Sequence, residues 1–131
     1  MVELTAFAGQ YAEAMAQSTG LMVCITDRDQ VIAVAGGPKK DILQKNISRQ
    51  LEQMINERQS VCAEKDEKNF IPLVTEELEG VTAQVVTAII CEGDAIGAVA
   101  ILSREPRARF GDMEMELAAT AAGFLGRQME G

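Results

Sequence analysis

Leu4, Phe7, Ala8, Tyr11, Met15 and Ser18 fall on one stripe at helical spacing, with Glu3, Gln10, Glu13 and Gln17 elsewhere on the wheel. This pattern predicts an amphipathic helix, which Gly20 ends. Two β-rich apolar runs follow, Leu21 to Thr26 and Gln30 to Ala35, separated by the turn signal Asp27-Arg28-Asp29, so they form a first strand pair. Gly36-Gly37-Pro38 breaks the chain, and a short helical piece is expected over Lys39 to Gln44. Ser48 is placed to cap a helix running to about Arg58, with Leu51, Met54 and Ile55 as its buried stripe. Ser60 to Gly80 is the least regular stretch. Val61–Ala63 and Phe70–Val74 read as short strands, the second at an edge because of Pro72; Glu64 to Lys68 is a charged loop, and Glu76, Glu77 and Glu79 make an acidic turn. Two long strands, Val85 to Cys91 and Ala95 to Leu102, then turn through Glu92-Gly93-Asp94, and the chain runs by Ser103 to Gly111 into a helix from Asp112 to Met129.

Sequential hairpins imply an antiparallel sheet, and helices of this length must cover its faces, so the fold class is α+β. With 131 residues the chain is the size of one domain, taken as residues 1–131, and can bury one core without disulfides or metal. The last helix is crowded with small residues. Ala118, Ala122 and Gly126 share a stripe, with Ala119 and Gly123 beside it, so another helix could approach closely along this face. Both terminal helices are amphipathic and the last is apolar around most of its circumference. A homodimer is therefore expected, held by Leu4, Phe7 and Tyr11 with Ala118, Ala122, Leu125 and Met129; the alternative is that the two terminal helices pack on each other within one subunit and the small residues serve that contact. Gly97, a glycine inside a strand, marks a bulge or a place where a helix or ligand comes close, and a helix is the neighbour expected.

Composition narrows the chemistry. Hydrophobic residues make up 47% and charged residues 24%, and no apolar run is long enough to span a bilayer. The N-terminus lacks the basic and apolar segments of a secretory signal, which points to the cytoplasm. The net charge of -8, from 20 acidic and 12 basic side chains, repels a phosphate backbone, so the chain alone is not expected to bind DNA. Histidine is absent, which excludes catalytic triads built on it. The three cysteines, Cys24, Cys62 and Cys91, lack zinc-site spacing and read as buried thiols, with Cys24 and Cys91 in apolar strands; no metal or cofactor is implied. Asp27 and Asp29 are explained by turn chemistry, and Arg104, Arg107 and Arg109 by a solvated connection.

Several words of the sequence are more specific. Gly93-Asp94-Ala95-Ile96-Gly97-Ala98-Val99 and the run from Ala121 to Glu130 resemble the C-terminal half of the stage V sporulation protein T family, transcription regulators of spore-forming bacteria. Asp27-Arg28-Asp29, Ile32 to Gly36, Lys39 to Leu43 and Lys45-Asn46-Ile47-Ser48 fit the same domain in the same order, so the resemblance runs from about Phe7 to Glu130. It implies a GAF domain. The order of elements alone also suits PAS, profilin-like and roadblock-type domains. Members of the family open with a swapped-hairpin DNA-binding domain, whereas this chain begins almost at the helix that would follow it, so DNA reading is assigned to no residue here.

The resemblance further implies a ligand cavity between one sheet face and the middle helix with its following loop. Arg58, Ser60, Cys62, Thr87 and Ile89 are its expected lining, with Thr26 as a neighbour. Arg58 could hold an anion through its fork of donors, or could simply favour the end of a helix. The function implied is a non-catalytic module that senses a small molecule and dimerises. Two alternatives stand beside it: a cysteine-based redox enzyme, of the kind that reduces free methionine sulfoxide, using Cys62, or a ligand-free interaction scaffold of the roadblock type.

Overall fold

The computed structural model describes residues 4–76 and 78–130. Glu3 and Glu77 lie outside them. The elements run α1 (Leu4–Thr19), β1 (Met22–Thr26), β2 (Val31–Ala35), α2 (Lys39–Ile42), α3 (Arg49–Asn56), β3 (Ser60–Glu64), β4 (Ala83–Cys91), β5 (Asp94–Ser103) and α4 (Asp112–Gln128). One five-stranded sheet has the order β2-β1-β5-β4-β3, with every neighbouring pair antiparallel. The long β4–β5 hairpin forms its centre with β1, and β2 and β3 are the edges.

Local chemistry sets the boundaries. Asp27 Oδ1 accepts hydrogen bonds from the N–H groups of Asp29 (2.7 Å) and Gln30 (2.8 Å), an Asx turn that reverses the chain between β1 and β2. Ser48 caps α3: its Oγ accepts from Leu51 N–H at 3.0 Å, and Leu51, Met54 and Ile55 form the buried stripe behind it. The segment Phe70–Val74 is not a strand. Pro72 has no N–H to give a ladder, and only an isolated bridge, Ile47 to Val74, is formed there.

The sheet is covered on both faces. On one, α1 and α4 pack over Val23, Ile25, Val85, Ile89, Val99 and Ile101. On the other, α2, α3 and the Lys65–Thr82 connection lie over Cys24, Val34, Val86, Ala98, Ala100 and Leu102. Double coverage is why β4 and β5 are apolar at nearly every position rather than alternating.

Two expectations about close approach need correction. Ala118, Ala122 and Leu125 are buried against the chain's own sheet, and Leu4 is buried with them, so none of the four offers surface to a partner helix. The small-residue stripe exists because α4 sits directly on β4: a Cβ at Gly126 would collide with the Ile90 carbonyl oxygen. Gly97 likewise faces backbone rather than a helix. It follows the extra residue Ile96 in the β4–β5 register, and a Cβ there would strike the Thr26 carbonyl of β1.

Candidate functional site

The Lys65–Thr82 connection arches over one end of the α3-side face and is held by polar groups at two ends. At the sheet, Gln84 of β4 is fully buried, and its amide engages a single residue of the loop twice: Nε2 donates to the Ile71 carbonyl (2.8 Å) and Oε1 accepts from the Ile71 N–H (2.9 Å). At α3, Ser48 Oγ donates to the Pro72 carbonyl (2.6 Å), Ser48 N–H donates to the Leu73 carbonyl (3.1 Å), and Thr75 N–H donates to Asn46 O (3.0 Å). A side-chain amide thus replaces a strand neighbour, and the helix cap doubles as a loop tether. A buried polar side chain must find such partners, because an unpaired amide inside a protein costs about 1–3 kcal/mol.

Beneath this arch lies a pocket of about 400 Å³. Its floor is the cross-strand pair Gln84 and Leu102, its walls are Phe70 to Leu73 with Leu78 and Val81, and Lys65 and Thr75 stand at its rim. This volume falls within the range that encloses small organic ligands, and the mainly apolar lining with few polar groups is typical of such sites.

The lining expected from the sequence is divided. Ile89 packs with Leu4, Ala8 and Leu125, and Cys62 packs with Val85, Ala118 and Phe110, so both face α1 and α4. Thr87 lies between Val85 and Ile89 on the same side, with Ser60 paired opposite it. Four of the six residues therefore sit on the sheet face away from the pocket. Thr26 is paired with Ala98 on the α3 side; it is fully buried, and its Oγ1 has no hydrogen-bond partner among the described residues. Arg58 follows α3 with φ +55 and donates through Nε (3.0 Å) and Nη2 (2.6 Å) to the Gly93 carbonyl in the β4–β5 turn. Nearby, Arg28 joins the Ala95 carbonyl to Asn56 Oδ1, so two guanidinium groups fasten the end of α3 to the tip of the central hairpin.

Phe70 to Leu73, Leu78, Val81, Gln84, Leu102 and Lys65 were missed as lining. A single signal pointed to them: Gln84 is a polar residue inside an otherwise apolar strand, and such a residue must be bonded to something that crosses the sheet.

Of the three thiols expected to be buried, only Cys24 is; Cys62 and Cys91 are partly exposed, because each lies at the margin of the sheet, yet all three are poorly suited to nucleophilic chemistry. Burial pushes Cys62 up, and the carboxylates of Glu114, Glu67, Asp112 and Glu64 push it further. Burial pushes Cys24 up to about 12. Cys91 is also raised, by desolvation first and then by Glu92, Glu130 and Asp94. Reactive cysteines need the opposite setting, with positive charge that favours the thiolate. Among the described residues, no group of three or more Cys, Asp and Glu side chains is placed to hold a metal ion, and no helix is long and apolar enough to cross a membrane.

Comparison with known proteins agrees with this architecture. The chain is 45% identical over 128 residues to stage V sporulation protein T of Bacillus subtilis (strain 168), covering 98% of this chain and 70% of that protein. Among solved structures, the cofactor-binding GAF domain of the nutrient sensor CodY from Clostridium difficile superposes with a TM-score of 0.67 at 15% identity, over 92% of this chain and 82% of that one. The type II free methionine-R-sulfoxide reductase from Thermoplasma acidophilum superposes with a TM-score of 0.69 at 14% identity, over 95% and 94% respectively. One fold thus carries a sensor and an enzyme, and at these identities it establishes the GAF-like architecture alone. The family is set by sequence: the model of the stage V sporulation protein T C-terminal domain, a transcription factor, matches residues 3–130, and the chain belongs to that family.

Proposed function

We propose that this domain is a non-catalytic sensory module of a sporulation-type transcription regulator, in which a small molecule enters the pocket beneath the Lys65–Thr82 arch. The observation that carries the reading is that pocket together with its tether. Ser48 is at once the cap of α3 and the anchor of Pro72 and Leu73, so a ligand that shifts the loop also loads the helix. Arg58 and Arg28 fix the far end of α3 to the tip of the β4–β5 hairpin, and Gly126 of α4 approaches the same hairpin from the other face at Ile90 of β4. An effector acts through such a linkage only by binding one arrangement better than another. A pocket, rather than a filled space, separates this reading from a ligand-free scaffold. Family membership and the raised thiols favour it over redox catalysis.

The homodimer belongs to the same proposal, with a revised surface. Tyr11 stacks on Phe124 with ring centroids 5.0 Å apart, and Phe124 remains 44% exposed. Phe7 and Met129 are only partly buried beside them, and Ala119 and Gly123 are exposed on the same helix, with nothing near a Cβ at Gly123. A second copy would cover this outer face of α1 and α4, and DNA would be reached through another domain of the regulator.

The test of sensing is a metabolite screen read by melting temperature on the wild type and on Leu78→Trp, which fills the pocket from its wall. A ligand bound only by the folded state raises the melting temperature by mass action. At least one stabiliser is expected, and Leu78→Trp should lose it. A screen without stabilisers, or stabilisers that act equally on the filled variant, would overturn the reading.

A further inference from the structure

The pocket's polar groups, taken one at a time, define the ligand. Gln84 has both ends of its amide engaged by Ile71, whose own N–H and carbonyl are thereby occupied. The carbonyls of Pro72 and Leu73 accept from Ser48, and the Thr75 hydroxyl points to the carbonyls of Asn46 and Ile47, 3.4 Å from each. Among the lining side chains, what remains is a hydrocarbon surface from Phe70 and Leu78 over the buried Val81 and Leu102, and one ammonium, that of Lys65, which has no hydrogen bond or carboxylate partner among the described residues. The neighbouring carboxylates differ: Glu64 pairs with Arg109 and Glu67 Oε1 accepts from the Glu64 N–H, while Asp66, Glu76 and Glu79 are exposed to solvent, which screens their repulsion of an anion. A ligand rich in hydroxyls or amides would exchange its bonds to water for groups already engaged with one another, and each bond left unmade would cost about 1–3 kcal/mol.

Resting on the sensory reading above, we infer that the ligand is a small amphipathic anion, an aliphatic or aromatic body carrying one carboxylate, with the body against Leu102 and Val81 and the carboxylate at the Lys65 ammonium. The charge sets orientation and preference, and the apolar body supplies most of the affinity. Lys65 is exposed, so its contribution is that of a solvated ion pair, on the order of a five-fold preference.

Three probes of one length separate the terms: octanoate, 1-octanol and octylamine, each titrated into the intact chain while the methyl resonances of Leu73, Leu78, Val81 and Leu102 are followed. Octanoate should bind on the order of five times more tightly than octanol, and octylamine more weakly than either. Lys65→Met should bring octanoate down to the level of octanol and leave octanol unchanged; Leu78→Trp should remove both. Equal binding of octanoate and octylamine, or an octanoate advantage that survives in Lys65→Met, overturns the ligand class. If none of the three shifts these methyls while the metabolite screen still yields stabilisers that Leu78→Trp loses, the anion is wrong and the sensor stands. If the screen is empty as well, both fall.

Discussion

The two faces of the sheet are built on different principles. The α1/α4 face is closed by small residues: Ala8, Ala12, Ala118, Ala121, Ala122 and Gly126 let helix backbone settle close to strand backbone, and specificity comes from fit. The α3 face is closed in part by a loop, and a loop cannot interdigitate in that way. Its backbone groups need partners, and Gln84, Ser48 and Asn46 supply them. Fit leaves no room, whereas a polar scaffold can span a space without filling it. The pocket lies on the second face for that reason.

Substitutions can break this contrast, and the largest effect should come from the tight face. Ala122→Glu places an unpaired charge where α4 meets the sheet, and it should destabilise the chain by roughly 3–5 kcal/mol, seen as loss of a cooperative urea transition. If Ala122→Glu instead gave a folded monomer, Ala122 would be an interface residue after all. On the loop face, Gln84→Ala removes two hydrogen bonds from Ile71 and should cost about 1–2 kcal/mol. The same variant should speed tryptic cleavage at Lys65 and Lys68, and unchanged cleavage would mean that the arch holds itself.

Cys24 probes how dry the α3 face is away from the pocket. Its folded thiol is pushed up from 9.0 to about 12 by burial. Between those values the unfolded chain gives up the proton and the folded chain keeps it, so this term is whole below pH 9 and is lost as pH rises toward 12. The decline should approach about 1.4 kcal/mol per pH unit and should be absent in Cys24→Ala. A wild-type slope equal to the variant's would place water beside the thiol. The smallest effect on stability is expected at Phe124. Phe124→Glu should lower the unfolding free energy by about 0.5–1.5 kcal/mol through loss of the Tyr11 stack, while sedimentation moves from dimer toward monomer. Unaltered sedimentation would remove this surface from the interface.

Much of the fold was legible because its elements carry local signatures. Ser48 announces a cap, Asp27 a turn, and Glu92-Gly93-Asp94 a hairpin, and each of these is fixed within a few residues of sequence. The site was not legible, for a reason visible in β4. From Ala83 to Ile90 the strand is apolar at nearly every step, so apart from the lone polar Gln84 little in it distinguishes the face of Thr87 and Ile89 from that of Gln84 and Val86, and an error of one residue moves a lining to the opposite side. The small residues of α4 misled in a related way. A stripe of alanine and glycine shows that something comes close, and here the close body is the chain's own strand rather than a second helix.

Ser48 has a consequence for which replacements its position accepts. Its hydroxyl takes a proton from the Leu51 amide and gives its own to the Pro72 carbonyl. Threonine can do both. Aspartate, usually as good a cap as serine, can only accept, and it would turn a negative oxygen toward the Pro72 carbonyl. A helix-propensity ranking would pass the aspartate. Here it would start α3 correctly and release the loop above the pocket, separating two properties that one oxygen atom now joins.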